Sequence, residues 1–235
     1  MDIGKSITFI FEDPDWLKKV AIGTGLILLG MIFMVVLIGL VPLIIVTGYT
    51  VVLIKNVMDG VEHPLPEWED WGDLFMRGLK IFLIQLIWAI PLIIVSMGTS
   101  LPAALSENSD IQGLWITASV FCGCLSLILG IALALAEPVI TFRFARTGEF
   151  GSGFEFGKIF RLLGDNIVNV IIAIIVAAVV GSVLFIVGML VGTILLLIGL
   201  IVTIPAAVFL ASLVEAHLFG QVGREAEAKE VISDQ

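Results

Sequence analysis

Residues able to do chemistry concentrate in one short stretch, GVEHPLPEWEDWG, at positions 60–72. It holds one of the two histidines of the chain, four carboxylates, two prolines and two tryptophans. His63 with Glu62, Glu67, Glu69, Asp70 and Asp73 offers oxygen and imidazole ligands of the kind that divalent cations take. The spacing fits no EF-hand, and one histidine flanked by prolines fits no zinc signature. Acid–base catalysis by the same carboxylates lacks an accompanying nucleophile or oxyanion donor. No catalytic residue, metal site or cofactor is therefore expected. The remaining role is mechanical: Trp68 and Trp71 suit the membrane–water boundary, Pro64 and Pro66 stiffen the chain, and Asp70 can cap a helix over Asp73–Phe82. The same ingredients recur in EDPDW, where Asp13 or Asp15 precedes Trp16. His63, Pro64, Pro66, Glu67, Trp68, Asp70, Trp71 and Trp16 make up a candidate hinge and interfacial anchor.

The elements that must position this loop follow from composition. The chain of 235 residues is 59% hydrophobic and 14% charged, with a mean hydropathy of +1.15. A soluble domain is about 45–50% apolar and about 25% charged, and a fold of this length needs a polar shell over its core. The surplus must face lipid. A net charge of −9 with no basic patch argues against nucleic acid as a partner. Cys122 and Cys124 stand two apart in an apolar run and so do not share a helix face, which fits neither a zinc site nor a disulfide framework. No basic region leads into the first apolar segment, so that segment is expected to persist rather than be cleaved.

Lipid offers no hydrogen bonds to backbone, and the apolar runs are continuous rather than alternating, so helices are expected to cross. Val20–Ile54 is uncharged and would be about 50 Å long as one helix, against a hydrocarbon core of about 30 Å. A turn at Gly39–Pro42 divides it. The second pair is Ile81–Met97 and Leu114–Ala136, and the third is Ile167–Leu190 and Thr193–Leu218, joined near Val191–Gly192, with a kink expected at Pro205. On this topology the outer connections, including residues 98–113, contain no Lys or Arg, and all twelve basic residues fall on the other side. The positive-inside rule then places both termini in the cytoplasm of a multi-pass plasma-membrane protein.

A short amphipathic stretch precedes each hairpin. Ile3, Ile7 and Ile10 share a face in the first, Leu74, Phe75, Gly78, Leu79 and Phe82 in the second, and Phe156, Ile159, Phe160 and Leu163 in the third. Ser152 and Glu155 fit a capping box at the start of the third. The expected fold is an all-α integral membrane protein of six transmembrane helices in three hairpins, each preceded by a cytoplasmic interfacial helix. Its single domain divides into units 1–58, 70–146 and 152–220 with a cytoplasmic tail at 221–235. Glu137 and Arg146, and likewise Glu215 and Arg224, stand nine residues apart where spans four and six leave the membrane, as candidate boundary ion pairs.

The segments MDIGKSITFIFEDPDWLKKVAIG, IKNVMDGVEHPLPEWEDWGDLFMRGLK and EPVITFRFARTGEFGSGFEFGKIF together resemble the DUF4013 family, with HPLPEWEDWGDLF as the most specific part. The resemblance implies a prokaryotic multi-span membrane protein and carries over no catalytic or binding residue. A looser likeness, of hairpin architecture alone, is to Yip1-type membrane proteins. The expectation is a non-enzymatic scaffold or membrane-organising protein whose partners are lipids, with a homo-oligomer as one arrangement. The alternatives are a transporter or lipid-moving protein using a groove between hairpins, or an accessory subunit of a larger membrane complex.

Overall fold

The computed structural model describes residues 1–105, 112–195 and 199–233, and every described element is helical. In chain order these are α1 (Ile3–Glu12), α2 (Trp16–Phe33), α3 (Leu40–Met58), α4 (Trp71–Leu105), α5 (Gln112–Thr147), α6 (Phe156–Ile194) and α7 (Leu200–Ser233), with short 3₁₀ turns at Met34–Val36 and Phe150–Phe154. Six of them, α2 to α7, are long and apolar enough to cross a membrane. The protein is a multi-pass membrane protein.

Each boundary has a local cause. Asp2 caps α1, its side chain accepting the Lys5 N–H at 2.9 Å. The first apolar run breaks at residues 34–39, slightly ahead of the expected turn, where Leu37 takes the left-handed conformation at φ 59°. Pro42 then falls in the first turn of α3, where a missing amide hydrogen costs nothing. Asp70 caps α4 as expected, accepting the Asp73 N–H at 3.0 Å. The expected capping box does not form. Glu155 is the N-cap of α6, and Ser152 instead donates to Glu149 O at 2.7 Å within the 3₁₀ turn and shares a 2.9 Å bond with Thr147.

The helices run on past the expected ends. Residues 73–82 are the first turns of an unbroken α4, and α4 and α5 extend into the stretch read as the 98–113 connection, of which 106–111 lie outside the described residues. The third connection sits just after Val191–Gly192, beyond Ile194, and its residues 196–198 are likewise outside. Residues 221–233, read as a tail, continue α7 with Val222 and Ala226 buried. Within α6 the backbone leaves helical angles at Asn166, whose side chain donates back to Leu162 O at 3.1 Å and accepts from Lys229 Nζ at 2.8 Å. Pro205 and Pro138 lie inside α7 and α5.

Consecutive helices α2–α3, α4–α5 and α6–α7 pack on each other, and α3 and α7 also lie together. The core draws on all seven helices, with Tyr49, Leu53, Ile54, Phe209, Leu213 and Leu218 fully enclosed. Helices α3 and α4 cross at glycines. A Cβ on Gly48 would stand 1.8 Å from Leu74 O, and one on Gly78 would stand 1.8 Å from Ile44 O. Only glycine allows backbones this close.

Candidate functional site

The loop between α3 and α4 is folded onto the helix ends by a buried lysine. Asp13 closes α1 and its side chain accepts the Asp15 N–H at 2.8 Å, which turns the chain into α2 and brings Lys19 over it. Lys19 is 4% exposed; its ammonium donates to Asp13 Oδ2 at 2.8 Å and to Leu65 O at 3.1 Å, and pairs with Glu67 Oε1 at 2.6 Å. A buried ammonium has three protons to place, and here each has an acceptor. Around it Trp68 Nε1 donates to Lys19 O at 3.1 Å, Tyr49 Oη donates to Pro66 O at 2.9 Å, and Asn56 Nδ2 donates to Pro64 O at 2.9 Å. Trp68 stacks on Tyr49 with ring centroids 4.0 Å apart.

This changes the reading of the loop. Trp68 is a core residue, 8% exposed, rather than part of an interfacial belt, while Trp71 is exposed and Trp16 half-buried. Pro64, Leu65 and Pro66 are buried, so the prolines present carbonyls to inward-pointing donors instead of stiffening a free hinge. His63 is exposed, and Glu67 is committed to Lys19. Among the described residues no group of three or more His, Cys, Asp or Glu side chains is arranged to hold a metal. Sequence reasoning missed Lys19, Tyr49 and Asn56. Tyr49 carried a signal, as the one tyrosine of the chain set in an uncharged span where its hydroxyl needs a partner.

A second cluster fixes α1 to α7. Phe9 stacks on His217 at 4.3 Å, and His217 Nδ1 lies 2.9 Å from Ser6 Oγ and 3.1 Å from Gln221 Nε2. Gln221 also bonds both the amide and the carbonyl of Asp2, at 2.6 and 2.9 Å. The buried face of α1 is thus Ser6, Phe9 and Ile10, while Ile3, Ile7 and Phe11 form an exposed apolar stripe. Ile10, expected beside Ile3 and Ile7, turns inward.

Between α1, the loop and α7 lies a cleft of about 540 Å³ lined by Lys5, Val61, Glu62, Gln221, Arg224 and Glu225, among others. The α-amine of Met1 pairs with Glu225 Oε1 at 2.6 Å, and Asn169 Nδ2 donates to Glu225 Oε2 at 2.5 Å. Lys5 pairs with Glu12, and this hydrogen bond holds the Glu12 carboxyl below its ordinary range. Two further grooves differ in character. One of about 290 Å³ is walled by Trp88, Pro91, Leu129, Phe154 and Phe160, and another of about 330 Å³ by Gln85, Trp88, Leu133 and Glu137.

The expected boundary ion pairs do not form. Arg146 instead pairs with Asp59 at 2.6 Å and with Glu227 at 2.5 Å, joining the ends of α3, α5 and α7. Glu137 accepts only from Gln85 Nε2, at 3.3 Å, among the described residues, and Glu215 is half-buried with no basic side chain in pairing range. The reason is geometric. Nine residues along a continuous helix is two and a half turns, which sets the two side chains about 13 Å apart on opposite faces. Arg143 and Lys158 share Glu155, at 2.8 and 2.7 Å, and Arg161 pairs with Glu230 at 2.8 Å.

No curated protein and no solved structure matches the chain. Residues 30–193, which run from α2 into α6 and include the whole docked loop, match the family described as protein of unknown function, DUF4013. Over more than half its length this chain carries that family's pattern, and it belongs to the DUF4013 family.

Proposed function

We propose that the protein is a non-enzymatic membrane-organising scaffold of the plasma membrane, with three hairpins and both termini on the cytoplasmic side. The observation that carries this reading is a difference between its two ends. At one end α1, the 59–70 loop and the ends of α2, α3, α5 and α7 are tied into a polar platform by Lys19, Arg146, His217 and their partners. The platform presents the Ile3, Ile7 and Phe11 stripe of α1 as an interfacial helix would. At the other end the α2–α3 turn is wholly apolar, with Val35, Val36, Leu37 and Ile38 exposed. Three of its amides are satisfied internally: Leu37 N–H by Met34 O at 3.0 Å, Gly39 N–H by Phe33 O at 3.1 Å, and Leu40 N–H by Leu37 O at 3.1 Å.

From Lys19 to Val36 is about 26 Å of helix, short of a hydrocarbon core of about 30 Å. A short turn with no polar side chain and most of its amides bonded within it is tolerated in lipid, so this tip ends within the far leaflet. With α4 to α7 crossing both leaflets and only the α2–α3 pair stopping within the far one, the platform side is the broader, a wedge that expands the cytoplasmic leaflet. Single cysteines at 35–38 in inside-out and right-side-out vesicles, in a background lacking Cys122 and Cys124, test the placement. They should resist a membrane-impermeant maleimide from both sides, while one at Lys18 reacts from the cytoplasmic side alone. Reconstitution at rising protein density should then narrow or tubulate liposomes; unchanged vesicles would end the scaffold reading.

A further inference from the structure

We infer that the cleft between α1, the 59–64 turn and α7 is a binding site for a phosphate group, held by Arg224. The argument starts from which charges in the cleft are already met. The Met1 amine and Asn169 neutralise and bond Glu225. The carboxylate of Asp2 is taken up as the N-cap of α1. Lys5 rests on Glu12. What is left is Arg224, which has no hydrogen-bonding or ion-pair partner among the described residues, and Glu62, in the same space yet outside pairing range of it.

Arg224 is solvent-exposed and its guanidinium lies beside the backbone of the turn. Gly60 has φ +72°, and a Cβ there would stand 3.5 Å from Arg224 Nη1. Val57, Val61 and Ala228 supply apolar lining beside it. A guanidinium fork in a concave, partly apolar wall matches the oxygens of a phosphate bidentately. Lys5 lies in reach as a second cation, because its pair with Glu12 is solvent-exposed on both sides and such pairs are worth little. Two cations favour a phosphate over a singly charged carboxylate. The volume of about 540 Å³ accepts a phosphate together with the group that carries it. The inference does not depend on the scaffold reading, since a phospholipid headgroup and a soluble phosphate compound offer the same chemistry.

The test uses the full-length chain in a phosphate-free sugar detergent, with three probes: inorganic phosphate, a short-chain phosphatidylglycerol, and the matching diacylglycerol without phosphate. At least one phosphate-bearing probe should bind and raise the unfolding midpoint, and the diacylglycerol should not. R224Q should weaken that binding by about ten-fold or more, as loss of a charge-assisted bond does, with R224K retaining part of it. E62Q should tighten binding, and it decides the matter if R224Q does not fold. A response to inorganic phosphate assigns a soluble ligand; a response to phosphatidylglycerol alone assigns a headgroup. Equal binding by R224Q and the parent chain, or no binding of either phosphate probe, overturns the inference.

Discussion

The docked loop at residues 59–70 and the apolar length of α5 are both parts of a membrane protein, yet they are held in place by opposite means. Around the loop the buried polar groups of Lys19, Tyr49 and Trp68 each have a protein partner, and Trp68, Leu65 and Tyr49 are enclosed. In α5 none of the most apolar stretch is buried inside the protein, against nearly half of it in α3. One region is specified by its own side chains. The other is specified by lipid, which accepts any apolar residue and rejects only polar ones. The contrast teaches where specificity can reside in such a chain: at the boundary, where polar groups must find partners, rather than along the spans.

The largest effect should come from removing the centre of the polar region. Lys19→Ala leaves Asp13 buried without its cation and frees Leu65 O, a loss of about 3–5 kcal/mol. Unfolding of the detergent-solubilised protein by denaturant should show it, together with faster proteolysis within 59–70; a change below about 1 kcal/mol would break the comparison. Next comes Gly48→Ala, where the added carbon meets Leu74 O and must push α3 from α4, at about 1–3 kcal/mol. A midpoint matching the parent chain would mean the two helices slide apart freely.

A smaller effect belongs to pH. Hydrogen bonding to Lys158, with the nearby Arg143 charge, holds Glu155 below its ordinary value of 4.5. Its pKa is lower folded than unfolded, so its contribution is complete above about pH 4.5 and fades as pH falls through the depressed value. Glu155→Gln should therefore lower the midpoint at pH 7 and converge with the parent chain in acid. A difference that stays constant with pH would show that the charge on Glu155 contributes nothing to it. Smallest of all is Ile128→Ala in α5, an exposed position where a change within about 0.5 kcal/mol is expected. A loss above about 2 kcal/mol would show that α5 is covered by protein, such as a second copy, and not by lipid.

How much was legible follows the same division. The apolar runs of α2 to α7 could be read directly, because about 20 apolar residues in a row have no other stable placement than a spanning helix. Asp70 as a cap was readable, since capping needs only neighbours in sequence. The partners of Arg146 were not. A nine-residue echo suggested Glu137, while the helix carries the two to opposite faces and the true partners, Asp59 and Glu227, are 87 and 81 residues away. Trp68 looked like an interfacial residue by type, and only packing against Tyr49 made it core. Neighbouring lysines make the point most simply: Lys18 is exposed and Lys19 is buried.

By itself the sequence determined that this chain lives in a membrane, in how many apolar segments, and where the polar residues collect, because hydrophobic transfer depends on composition and length alone. Only the tertiary structure decided which of those polar residues are buried with partners and which, like Arg224, are left facing a cleft. Hydrogen bonds and ion pairs act over about 3 Å, and whether two residues come that close is set by the path of the folded chain rather than by their spacing along it.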